Sequence, residues 1–399
     1  MSRKKNILFY IPNLSQDAGG VRQYAAGLLN LFISLNEQYH FHIYHDGNDE
    51  VIMNILKENT ELRHIKSKDY EFTKKEIVQQ KILRFYNRSK NLLIKRISYN
   101  KKTVLDKIIS SNEIDIIHCP FQYIPHKSNV KLITTLHDVQ ELYFPEFFSS
   151  AQRAYRAVHY KDYIDRADKV IVSYQHVKND LIKFFAKDAD LIDVLLLKMD
   201  KLWFSKYVNH TFKKQNSVPE KFLMYPANFW KHKNHEKLIE VIQYLKEQKG
   251  IAVHLVLTGD HNFDHGIYIT NLISKLHLNN QITVLGIVDE LTLYNLYKTT
   301  TGVVVPTLYE AGSFPLMESI LMEIPVICSN TTSLPETIGD SEFIFDPLSV
   351  EDMADKIIKL WSQEDYRHRS IYNCKKQQHR LIETEASEKL KKIYSELYG

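Results

Sequence analysis

The sequence predicts two α/β domains, each a doubly wound parallel sheet, facing one another across a deep cleft. Three observations carry that expectation. Short β-branched or aromatic runs alternate with longer amphipathic stretches along the chain, and buried apolar strands separated by helices mark parallel sheets covered on both faces. A chain of 399 residues exceeds the ~250–300 at which single cores stop growing. The alternation also breaks once, at the polar stretch "KYVNHTFKKQNSVPE", residues 206–220.

In the first half the strand candidates are "NILFYIP", "FHIYH", "IDIIHC", "KLITTLH", "KVIVSY" and "IDVLLL". In the second they are "KFLMYPA", "IAVHLVLTG", "QITVLG", "TGVVVPT", "PVICSN" and "EFIFDP". Stretches such as "GGVRQYAAGLLNLFISL" and "NHEKLIEVIQYLKEQKG" read as amphipathic helices between them. The first domain is therefore expected over residues 1–205, a linker over 206–220 and the second domain over 221–380. Residues 381–399, which include "ASEKLKKIYSELYG", form a closing helix expected to pack back toward the first domain. In open α/β sheets ligands sit beyond the carboxyl ends of the strands, so both domains should offer their strand-end loops to the cleft.

Bulk composition excludes little but is consistent. Hydrophobic residues make up 44% and charged ones 25%, ordinary values for a globular chain, and a net charge of +4 is too small to argue for nucleic acid. Three scattered cysteines, Cys119, Cys328 and Cys374, form no CxxC pair and no zinc spacing, and read as thiols of a reducing compartment. "MSRKKNILFYIPNL" has a basic start and a short apolar run but no small-residue cleavage site, so it reads as a first strand rather than a signal peptide. No apolar run approaches the ~20 residues needed to span a bilayer. A cytoplasmic protein is expected, with peripheral contact to the inner face of a membrane left open.

The strand ends carry the candidate chemistry. "PTLYEAGSFPLMES" runs from a buried strand through Glu310 into a turn and a helix start. Gly312 permits close approach of another group to the backbone, and Pro315 suits a first helical turn because its missing N–H would have no partner there. Free amides near Ser313, Phe314 and Leu316 would then attract an anion, phosphate above all. Glu318, one turn in, suits a diol such as ribose, and Glu310 suits sugar hydroxyls; acidic capping of a helix start is the alternative. In "YPANFWKHKNHEKLI" Lys233 could neutralise a diphosphate, with Lys231 its close competitor and plain solvation the alternative. "TTLHDVQ" sets His137 and Asp138 past a first-domain strand, where the imidazole could meet a hydroxyl or phosphate, or simply bond a local backbone group. Gly19 and Gly20 in "QDAGGVRQY" allow close backbone approach, but the chain has no G-x-G-x-x-G fingerprint for a dinucleotide. Gly259, ending "IAVHLVLTG", and Ile287, in "LGIVDEL", complete the donor-binding set, the latter loop being expected to contact the base.

Together these segments resemble the retaining glycosyltransferases of family 4, which have the GT-B fold of two facing Rossmann-like domains. "EAGSFPLME" matches that family's E-x7-E motif at Glu310 and Glu318, "FWKHKNH" its phosphate-binding lysine loop at Lys233, "LHD" its histidine strand end at His137, and "DAGGV" its glycine loop at Gly19 and Gly20. "TSLPETIGD" and "FDP" fit its C-terminal pattern, and "YPANFWKHKNH" looks most like the mannosyltransferase branch. The likeness runs from about residue 5 to about 365. It implies transfer of a hexose from a nucleotide-sugar, GDP-mannose first and a UDP-sugar second, to a glycan or lipid-linked glycan of surface polysaccharide or lipopolysaccharide. Glu318 would hold the ribose and Glu310 the transferred sugar. Lys233 and the amides at Gly20, Ser313 and Phe314 would stabilise the departing diphosphate, and His137 would act near the reacting carbon. Anomeric configuration would be retained, with no metal or other cofactor. Family members often carry Arg five residues before the lysine, whereas this chain has Asn228, so neutralisation of the diphosphate would rest on Lys233, Lys231 and the helix-end amides. Asn228 also keeps open a non-catalytic nucleotide-sugar-binding subunit; another GT-B enzyme, such as a sugar-nucleotide epimerase, is the enzymatic rival. The D-x-D at Asp188–Asp190 reads as solvated charge rather than a metal site.

Residues 74–107 hold eleven Lys or Arg against Glu76 and Asp106, with apolar residues interleaved. Such a basic amphipathic stretch suits an anionic membrane surface as well as a solvated helix face; nucleic acid is the least supported partner, since no recognised binding module accompanies the charge.

Overall fold

The computed structural model describes residues 3–12, 19–45, 49–71, 73, 76–78, 103–125, 129–199, 203–212 and 218–398. The basic stretch 74–107 therefore lies mostly outside the described residues. Among these the first domain holds seven strands: β1 (Lys5–Ile11), β2 (Tyr39–His45), β3 (Arg63–Ile65), β4 (Ile116–Cys119), β5 (Lys131–Thr135), β6 (Lys169–Val172) and β7 (Ile192–Val194). They are all parallel, in the order β3-β2-β1-β4-β5-β6-β7. The second domain holds β8 (Leu223–Pro226), β9 (Leu255–Thr258), β10 (Ile282–Gly286), β11 (Gly302–Val305), β12 (Val326–Ser329) and β13 (Ile344–Phe345). These are parallel too, ordered β10-β9-β8-β11-β12-β13.

Alternation along β1 explains how one strand serves two layers. Ile7, Phe9 and Ile11 point into one core with the helix Gly19–Leu35, while Leu8 points into the other with Ile117 and Val170. Val303, Val304 and Val305 of β11 are fully buried, which is why "TGVVVPT" shows no polar alternation. In both sheets the strand order reverses beside the first strand, between β1 and β4 and between β8 and β11. Crevices open at such switch points because successive connections leave on opposite faces.

The domain boundary falls earlier than the linker expected at 206–220. Phe204, assigned by sequence to the first domain, belongs to the second domain's core, and Leu196, Met199 and Trp203 pack against it. Leu195 and Leu197 stay with the first domain. The described part of the crossing, Leu195–Leu197 with Met199, is thus apolar and largely buried, whereas residues 208–212 are exposed. The chain crosses a second time near Leu381, whose carbonyl accepts from the Met199 amide at 2.9 Å. Beyond it, the helix Ala386–Glu396 buries Leu390, Ile393 and Tyr394 in the first domain's core. Tyr394 Oη lies 2.9 Å from His118 Nδ1, and Lys169 donates to Glu396 at 2.6 Å. Among the described residues no helix is long and apolar enough to cross a membrane.

Candidate active site

The loops that follow β8 and β11 meet at the second domain's switch point. Three bonds knit them together: Leu308 N–H and Thr307 Oγ1 both donate to the His232 carbonyl at 2.8 Å, and Asn234 Nδ2 donates to Pro306 O at 2.9 Å. Asn234 sits at φ 62°, a left-handed conformation that its short polar side chain tolerates, and starts the helix His235–Gln248. That turn directs Lys233 inward to an ion pair with Glu310, the two side chains being only 12% and 9% exposed. Glu310 is fixed from behind by Thr332, which accepts from its amide at 3.1 Å, and by Ser333, which donates to its carbonyl at 3.1 Å. Lys231 is exposed to solvent instead. Burial first, and the Lys233 charge second, push the His232 and His235 imidazoles down to about 3, so both rings are neutral near pH 7.

The helix Phe314–Leu321 begins beside this pair, with Ser313 as N-cap and Pro315 in its first turn. By helix geometry the amides of Phe314 and Leu316 have no acceptor four residues back. Ser313 Oγ is buried and makes no hydrogen bond among the described residues. Close approach bears on Gly312 but not on Gly20. A Cβ at Gly312 would come to 3.2 Å from the Tyr174 ring, and one at Gly20, where the first domain's opening helix begins, to 3.5 Å from Phe314. Gly19 starts the same helix.

One turn further in, Glu318 accepts from Trp203 Nε1 and from Tyr297 Oη, each at 2.7 Å. Burial raises its carboxyl above the usual range. Each carboxylate oxygen thus uses one lone pair on a protein donor and retains one. Neither donor was marked by sequence: Trp203 sits in the crossing between domains and Tyr297 on the helix after β10, far from any motif.

Asn228, at the position of the family's usual arginine, is committed to the backbone. Its Oδ1 accepts from the Asp260 amide at 2.8 Å. Gly259 lies next to it at φ 119°, where an added Cβ would fall 2.5 Å from the Ala227 carbonyl; only glycine fits there. Ile287, after β10, is 74% exposed. Asp188 of the D-x-D caps a short 3-10 turn, accepting from the Asp190 amide at 3.0 Å. All three cysteines are buried and free.

From the first domain, His137 stands past β5 with Nε2 2.9 Å from the Pro120 carbonyl and its ring edge-on to Tyr24. A carbonyl only accepts, so Nε2 carries the proton, and burial holds the imidazole below its ordinary pKa. The neutral ring leaves Nδ1 as an acceptor for a hydroxyl. The local backbone bond weighed as the alternative for this histidine therefore exists, and it fixes the tautomer. Asp138 beside it receives Arg156 at 3.1 Å, and Arg156 also reaches Glu141 at 2.6 Å. The domains touch directly: Val139 N–H donates to Tyr309 Oη at 3.1 Å, Tyr174 Oη lies 3.5 Å from Met317 Sδ, and Gln175 N–H donates to Glu336 at 2.9 Å. His137 therefore stands two residues from the Val139–Tyr309 bond and Glu310, paired with Lys233, one residue from it, so strand ends of both domains border the same contact.

Two parallel sheets joined at their carboxyl ends, with strand-end loops from both bordering that contact, define the GT-B architecture. Comparison with known proteins agrees. Residues 208–377 match the model described as "Glycosyl transferases group 1" and residues 59–195 that of "Glycosyltransferase Family 4". Together they span most of the chain, and the protein belongs to glycosyltransferase family 4. It is 25% identical over 259 residues to the O-antigen chain mannosyltransferase B of Escherichia coli, covering 63% of this chain and 66%, just under two thirds, of that protein. It is 22% identical over 213 residues to the O-antigen chain mannosyltransferase RfbU of Salmonella typhimurium, covering 53% and 56%. Both place it near the mannosyltransferase-like branch. Among solved structures, Alr3699/HepE from Anabaena, in complex with UDP and glucose, superposes with a TM-score of 0.66 at 17% identity, covering 98% of this chain and 100% of that one.

Proposed function

We propose that this protein is a hexosyltransferase that moves mannose from GDP-mannose, or failing that a hexose from a UDP-sugar, onto a glycan or lipid-linked glycan of a bacterial-type surface polysaccharide. The observation that carries the reading is the Lys233–Glu310 ion pair, set at the switch point of the second sheet beside a helix start with no side-chain cap. The pair holds opposite charges that a sugar diphosphate would separate: the ammonium would turn to the leaving diphosphate and the carboxylate to the sugar hydroxyls. Electrostatic stabilisation of a departing group is commonly a large catalytic term, and loss of one such contact costs ~10²–10³ in rate. His137, neutral with Nδ1 open, would accept from a sugar or acceptor hydroxyl. Glu318, already steadied by Trp203 and Tyr297, would use its remaining lone pairs on ribose. Transfer would proceed with retention and without a metal, the lysine and amides supplying the positive field. The O-antigen mannosyltransferases among its relatives support mannose and a surface-glycan acceptor.

A thermal-shift panel of UDP-, GDP-, ADP- and dTDP-sugars tests this reading. A ligand at 100 times its dissociation constant adds ~2.7 kcal/mol of stability, and a GDP-sugar is expected to give the largest shift. Silence across the panel rejects a nucleotide-sugar site. Binding without turnover by any candidate acceptor or water favours the non-catalytic subunit, a reading that the uncharged, backbone-bound Asn228 keeps in play.

A further inference from the structure

Tyr309 precedes Glu310, yet its side chain leaves the second domain. Its phenol, 3% exposed, enters the first domain, where Oη accepts from the Val139 amide at 3.1 Å. The ring lies among three first-domain rings, 5.6 Å from Tyr143, 6.5 Å from Phe144 and 6.2 Å from His176. Tyr143 is itself held by a hydrogen bond to Asp180. Val139 is two residues beyond His137 and fully buried, so this bond is how its amide is satisfied. One side chain therefore joins the backbone bearing the first domain's candidate histidine to the backbone bearing the second domain's candidate glutamate.

We propose that Tyr309 is a positioning residue, a clasp across the cleft that sets Glu310 and His137 at their working separation. This rests on the glycosyltransferase reading of those two residues. The clasp acts through geometry: a nucleotide can bind the second domain's turn without it, but the sugar is aligned between the two halves only when the phenol is seated. Tyr309→Phe keeps the ring packing and removes the acceptor; Tyr309→Ala removes both.

The test combines GDP affinity by calorimetry, GDP release from GDP-mannose with water as acceptor (UDP and UDP-glucose in parallel), and amide exchange over residues 136–143. Tyr309→Phe is expected to leave GDP affinity within about twofold, to lower turnover about tenfold, equivalent to ~1.4 kcal/mol, and to speed exchange at Val139. Tyr309→Ala is expected to lower turnover at least tenfold further. Wild-type turnover with unchanged exchange in Tyr309→Phe overturns the clasp, and so does a loss of GDP affinity in step with turnover, which would make Tyr309 part of the donor pocket. Glu310→Ala separates the two ideas: wild-type turnover in that variant rejects the site reading, while the exchange measurement still decides whether the clasp exists.

Discussion

At the scale of single residues the Lys233–Glu310 pair decides most. Each side chain is largely out of water, so deleting one partner strands the other's charge, at a cost of roughly 1–3 kcal/mol or more. Lys233→Ala and Glu310→Ala are therefore each expected to lower the unfolding free energy by about that amount and to cut turnover at least 100-fold. The double variant should recover part of the lost stability and none of the activity, as urea titration and GDP release would report; additive stability losses would mean that the two charges do not sense each other. Sequence reasoning reached this pair because both lie at strand ends next to helix starts. It left Lys231 as a competitor, since an asparagine permits the left-handed turn at Asn234 that directs Lys233 inward but does not require it. Trp203 and Tyr297 stayed invisible for another reason: they reach Glu318 from distant parts of the chain, and only packing brings them there.

Elements were more legible than side chains. Twelve of the thirteen strands coincide with apolar runs quoted from the sequence, because strands buried on both faces cannot afford polar alternation. β3 escaped because it is three residues long and carries Arg63 and His64. The crossing between domains escaped because it is apolar, and so resembles the end of a strand. Glycine readings divide by mechanism. Gly259 is fixed by backbone geometry, whereas Gly312 is constrained by the Tyr174 ring that approaches it and Gly20 has room for a Cβ. Gly259→Ala should therefore act through the turn after β9, driving its Cβ into the Ala227–Asn228 peptide and pushing that peptide away. A loss of roughly 2–4 kcal/mol is expected from strain plus overpacking, visible as a lower urea midpoint; a change below 0.5 kcal/mol would show that the turn relaxes freely.

For the whole molecule, buried histidines govern behaviour in acid. Burial holds His42 and His176 down to about 4, and His118, His232 and His235 down to about 3, from an ordinary 6.5. A depressed histidine contributes nothing to pH dependence above 6.5; below it the unfolded chain takes up protons that the folded chain refuses. Stability then falls with pH from about 6.5 toward 3–4, by up to ~1.4 kcal/mol per unit for each ring. Glu141, Asp180 and Glu318, raised by burial, act in the opposite sense, since each takes up its proton in the folded state first. Five rings outweigh three carboxyls, so the melting temperature should drop between pH 7 and pH 5 in scanning calorimetry; a flat or rising profile would contradict this account. The two passages of the chain between domains, near Leu195–Met199 and near Leu381, bear on motion as well. A body joined at one point can tumble, but one joined at two neighbouring points swings like a door about the line through them. If the proposed donor enters by the domains parting, opening should follow a single arc, and each return along it should bring the same loops back into register.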